Sequence, residues 1–124
     1  MMINIQAGWL GLLLCGIAGA VMGMFFHEDD FLGGYNSWSR RMVRLGHIAF
    51  FGIGIINLAF GLTARSLGID SDLRMVSVLL IVGAVAMPTV CYLSAWKKGF
   101  RHMFFIPAGA VIVGVGLFIW RLFA

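Results

Sequence analysis

Ile5-Gln-Ala-Gly-Trp-Leu-Gly-Leu-Leu-Leu-Cys-Gly-Ile-Ala-Gly-Ala-Val-Met-Gly-Met-Phe-Phe26 carries no charged side chain. A helix rises about 1.5 Å per residue, so a segment of this length crosses the roughly 30 Å hydrocarbon core of a bilayer. Three further segments read the same way: Met42–Ala64, Leu73–Trp96 and His102–Phe123. The sequence therefore predicts an all-α fold, an integral membrane four-helix bundle with spans 5–26, 42–64, 73–96 and 102–123. The loops between them are short, which forces an up-down-up-down path and one polytopic domain over 1–124.

Composition agrees. Of the 124 residues 61% are hydrophobic and 11% charged, more apolar surface than a water-soluble domain of this size can bury. The formal charge of +4 does not point to nucleic acid, because the basic residues stand singly or in small groups at the span ends. Six of the nine, Arg40, Arg41, Arg44, Lys97, Lys98 and Arg101, flank loops 1 and 3; Arg65, Arg74 and Arg121 lie on the other side. The excess places loops 1 and 3 in the cytoplasm and both termini outside, as in a bacterial inner membrane. No Lys or Arg precedes Ile5, so the first span is expected to stay in place rather than act as a cleaved signal. Cys15 and Cys91 fall at different depths and read as reduced thiols.

Loop chemistry sets the helix ends. Gly33-Gly34 permits a turn with positive φ, and Ser37 or Ser39 is placed to cap helix 2. Gly68 ends helix 2, and Asp70 or Ser71 is placed to cap helix 3. Loop 3, Lys97–Arg101, reads as a tight basic hairpin. Pro88 falls inside helix 3, where it frees the carbonyl near Ala84. Asn57 is expected to hydrogen-bond a neighbouring helix.

Lipid tails are as apolar as leucine, so helices in a membrane associate by close packing of small residues. Small stripes occur at helical spacing: Ala7, Gly11, Cys15, Gly19 and Gly23 on helix 1; Gly54 and Gly61 on helix 2; Ser77 and Ala84 on helix 3; Gly109 and Gly116 on helix 4. These are expected to mark the inward faces. Gly8, Gly16, Gly52 and Gly114 are expected on outer faces, available to another membrane subunit or to a second copy.

Extended toward the loop 1 and loop 3 edge, the four stripes reach His27, His47, Cys91 and His102. A seven-residue step drifts about 20° from whole turns, so the sequence predicts that these four donors converge. Imidazole and thiolate ligate zinc, copper and iron. Two cofactors suit the pattern: haem b held by His47 with His102 or His27, or one copper, iron or zinc ion bound by two or three of the histidines, with or without Cys91. Arg44, three residues before His47, is placed to hold a haem propionate, a quinone headgroup or a lipid phosphate. The plainer account of the same residues is interfacial packing and snorkelling. Glu28, Asp29 and Asp30 then form a solvated turn pairing with Arg40, Arg41 or Arg101.

Three functions compete. One is a haem- or metal-binding, electron-transfer-linked membrane protein. Another is a cofactor-free accessory subunit of a larger redox complex. The last is a small transporter: in length and span number the chain is similar to small multidrug exporters. Those rely on a carboxylate within helix 1, whereas all five acids here lie in loops. No catalytic motif occurs.

Overall fold

The computed structural model describes residues 1–124, save the side chain of Asp70. Four helices follow in order: α1, Met2–Phe25; α2, Trp38–Leu67; α3, Arg74–Trp96; α4, Phe105–Phe123. Short 3-10 turns at Phe31–Gly33, Asp70–Asp72 and Lys98–Met103 sit in the connections. All four helices are long and apolar enough to cross a membrane, as the four apolar runs predict. Each packs chiefly on its neighbours in the chain: α1 on α2, α2 on α3, α3 on α4.

Glycine sets the approach distances. A Cβ added to Gly8 would lie 2.8 Å from the Gly54 carbonyl oxygen, and one on Gly11 3.2 Å from the Gly54 Cα. Gly61 likewise backs onto Ile5. Along α2–α3 the Tyr92 ring lies against Gly46, and along α3–α4 Gly83 meets Val111 while Gly114 meets Leu79 and Leu80. Gly11, Gly19, Gly54 and Gly61 thus face neighbours, as their stripes predict. Gly16 and Gly52 face open space, again as expected.

The stripes mislead elsewhere. Gly23, Gly109 and Gly116 have nothing within 4 Å of an added Cβ, whereas Gly8 and Gly114, expected outside, are packed. A four-residue step turns about 400°, so a strict row of fours drifts about 40° per step and winds off its face by Gly23. On α4 the buried set is Pro107, Ala110 and Gly114, offset from the Gly109–Gly116 pair. A helix with three glycines offers more than one small stripe, and spacing alone does not choose between them.

One polar cluster joins three helices. The Asn4 side-chain amide donates to the Asn57 carbonyl oxygen at 2.8 Å and to the Ser77 backbone carbonyl at 3.3 Å. The Ser77 hydroxyl donates to Oδ1 of Asn4. The Asn57 amide donates to the carbonyls of Ile53 (3.0 Å) and Leu80 (3.1 Å). Both asparagines are fully buried, and every amide hydrogen has an acceptor. Beyond this cluster, toward loop 2, Phe60, Ala64, Leu73, Val76 and Leu80 form the apolar core.

The helix ends explain two further departures. Ser37 caps α2, accepting from the Arg40 N–H, and Gly68 closes it at φ 66°. At α3, however, the cap position is Leu73, with no side-chain cap bond; Ser71 is taken up in the 3-10 turn before it. Loop 3 is a 3-10 turn rather than a tight hairpin, so α4 begins only at Phe105.

Asn57→Leu removes one of the two acceptors of the Asn4 amide and the side-chain donor to the Leu80 carbonyl. We expect a loss of about 1–2 kcal/mol, read by denaturant titration in mixed micelles. Ser94 is the opposite case: its hydroxyl is buried with no hydrogen-bond partner. Ser94→Ala should leave stability equal or higher in the same titration, and a loss would show that Oγ is bonded after all.

Candidate functional site

The start of α2 fastens the ends of α1 and α3. The Arg40 guanidinium, 3% exposed, donates to the backbone carbonyls of Phe26 and of Glu28, the latter at 3.4 Å. It also stands 4.4 Å over the Phe26 ring. These carbonyls lie at and just past the end of α1, where the last helical carbonyls have no intrahelical donor. The indole N–H of Trp38 donates to Ser94 O at 2.8 Å and the Ser39 hydroxyl to Ala95 O at 2.7 Å, doing the same for α3. So Arg40 takes a backbone carbonyl of Glu28, not its carboxylate, contrary to the expected pairing. The junction sets the height of α2 against α1 and thereby of His47, two turns further on.

His47 meets α1. Its Nδ1 lies 3.8 Å from Sγ of Cys15, and its Cε1 would lie 2.9 Å from a Cβ on Gly19. Cys15 and Gly19, one turn apart, form the seat of the imidazole, and Gly19 makes the room. Both Cys15 and His47 are half-buried, and both cysteines are free thiols.

The expected convergence of His27, His47, Cys91 and His102 does not occur. Among the described residues no three His, Cys, Asp or Glu side chains gather closely enough to hold one metal ion. The reason lies in the helix ends. His27 is past the end of α1, and His102 is in the 3-10 turn before α4, so neither stripe continues through a helix to its histidine. Both side chains are exposed. Cys91 is fully buried beside Gly46, the residue before His47. Successive helical residues point about 100° apart, so His47 turns to α1 while Gly46 faces α3. Arg44 donates to the Tyr35 carbonyl at 3.3 Å and stacks 4.7 Å over its ring.

Beside the Cys15–His47 pair a cavity of about 290 Å³ opens sideways between α1, α2 and α3. Leu14, Phe50, Ala84, Pro88 and Tyr92 wall it, over a floor at Gly11 and Gly54. Its walls are mostly carbon, with three polar groups among them, of which the Thr89 hydroxyl is already engaged, donating to the Val85 carbonyl at 2.6 Å. Pro88 has no N–H, so it gives none to the Ala84 carbonyl one turn earlier. The Tyr92 hydroxyl makes no hydrogen bond among the described residues; its ring lies 6.1 Å from that of Phe50, tilted by 38°.

No family model, curated protein or solved structure matches the chain. The site is therefore read from its own chemistry. Sequence reasoning missed Arg40 as a buried anchor and passed over Tyr92. Arg40 sits among other arginines at a membrane edge, where solvation is the ordinary expectation. Tyr92 carried a signal: one turn after the in-helix proline, it shares that residue's face.

Gly19→Val should push the imidazole off Cys15, with a severalfold faster alkylation of Cys15 by a membrane-permeant maleimide. Gly23→Val, in open space, should leave the rate unchanged. Equal rates in the two variants would show that His47 does not cover the thiol.

Proposed function

We propose that this chain is a metal-binding, electron-transfer-linked membrane subunit whose protein ligands are Cys15 and His47. The observation that supports it is the 3.8 Å approach of a thiol sulfur to an imidazole nitrogen across α1 and α2. Ionisable groups are costly inside a membrane and tend to be there for function. A thiolate with an imidazole suits a soft or borderline ion, and copper(I) accepts so few ligands most readily. Zinc or a haem iron with His47 on one face requires further ligands, which a partner subunit or the cofactor itself supplies. The orientation that goes with this reading puts loops 1 and 3 on the cytoplasmic side of a bacterial inner membrane.

A second reading, the cofactor-free accessory subunit, draws on α1. Of its residues Asn4 and Gly8 are buried, and Gly16 and Gly23 present bare backbone outward. Such a face accepts lipid or a neighbouring helix equally well.

Elemental analysis of the detergent-purified protein, prepared without chelators, separates the two. On the metal reading we expect near-stoichiometric copper, iron or zinc, falling at least tenfold in Cys15→Ser and in His47→Ala. Metal content at background, or unaffected by either substitution, overturns it and leaves the accessory role.

A further inference from the structure

We propose that the cavity between α1, α2 and α3 binds a flat, lipid-soluble ring bearing oxygen substituents, of the quinone and quinol class. The proposal needs no metal at His47 and stands on the cavity alone.

The shape argument begins with the glycines. Gly11 and Gly54 meet backbone to backbone, so no side chain rises from the floor between α1 and α2. Phe50 and Tyr92 supply aromatic walls at one end. The result is a slot that receives a planar ring by offset or edge contacts. About 290 Å³ is near the lower bound of small-molecule sites, enough for one ring with its tail left in the bilayer. The opening faces sideways between helices, the direction from which a lipid-dissolved molecule arrives.

The chemical argument rests on the Tyr92 hydroxyl and the Ala84 carbonyl, since the Thr89 hydroxyl is taken up by Val85. The Tyr92 hydroxyl lacks a partner among the described residues, and the Ala84 carbonyl gets no N–H from Pro88. An acyl chain in the slot offers the hydroxyl no acceptor and the carbonyl no donor, which is costly in an apolar medium. A quinol satisfies both: one oxygen accepts from Tyr92, and a ring hydroxyl donates to Ala84. A quinone accepts from Tyr92 and has no hydrogen for Ala84. The reduced form is therefore expected to bind more tightly, by about fivefold for one additional hydrogen bond.

The test uses the full chain in phosphatidylcholine nanodiscs, a photoreactive azidoquinone as label, and decylubiquinone or its quinol as competitor. We expect saturable labelling at Leu14, Phe50 or Tyr92, displaced more effectively by quinol than by quinone. Tyr92→Phe, which keeps the ring, should weaken displacement by about fivefold. Ala84→Leu, which fills the slot, should abolish site labelling. Labelling that does not saturate, that spreads over the lipid-facing helices, or that survives Tyr92→Phe undiminished overturns the proposal and marks the slot as a groove for acyl chains. Because Tyr92→Phe removes only the hydroxyl and keeps the ring, this outcome can be read even where Ala84→Leu fails to fold.

Discussion

The contact on which the rest depends is the glycine-to-glycine approach of α1 and α2. In water a helix gains stability by burying apolar side chains, but in lipid that gain is absent and close van der Waals packing takes its place. Gly8 and Gly11 bring the α1 backbone onto Gly54. That closeness puts Asn4 within hydrogen-bond reach of Asn57 at one end. At the other it seats His47 on Cys15, with Gly19 making the room. The slot beside Gly11 is floored by the same contact, where the two backbones meet with no side chain between them.

Two polar devices then fix what packing leaves free. Helices held by small residues can slide and rotate at modest cost. The Asn4–Asn57–Ser77 cluster pins three of them near loop 2, and Arg40 with Trp38 and Ser39 pins three near loop 1. The two differ in kind. The first is a closed set of amides and a hydroxyl, every hydrogen used. The second spends a buried cation on backbone carbonyls and leaves its Nε without a partner. Helix-end carbonyls carry partial negative charge, which suits a guanidinium where no carboxylate is bonded to it.

The fold was legible in the sequence because length and absence of charge dictate a membrane span almost without reference to context. Ser37, Gly68 and Gly33-Gly34 were legible for the same reason, since each acts on its own backbone. The candidate site was legible only in part. His47 was named among the four donors, and it is the histidine that lies inside a predicted span rather than at its end, which can be read from position along the chain. Its partner Cys15 was not foreseen, since which residues of two helices meet depends on rotation about each axis. Projection along a stripe assumes that the helix continues, and at Phe26 and Phe104 it does not. That is why His27 and His102 fell away from the predicted group while His47, inside its helix, stayed within the bundle.

Helices that pack mainly on their chain neighbours also impose an order of assembly. Asn57 finds Asn4 once the first two spans are together, but Asn4 and Ser77 are 73 residues apart, so its remaining bonds wait for the third span. Until α3 arrives, a two-helix intermediate carries two amide hydrogens, one on Asn4 and one on Asn57, without their acceptors in the bilayer, which gives that intermediate a reason to recruit α3 rather than drift apart. α4 brings no side chain to this cluster. It joins a three-helix unit whose polar accounts are already closed, held by Gly83 against Val111 and by Phe118 edge-on to Phe60. The last span is thus attached by shape and by one exposed ion pair, Arg121 to Asp72 at 3.2 Å, with no buried side-chain hydrogen bond among the described residues to hold it, making it the helix that leaves first when the bundle is loosened.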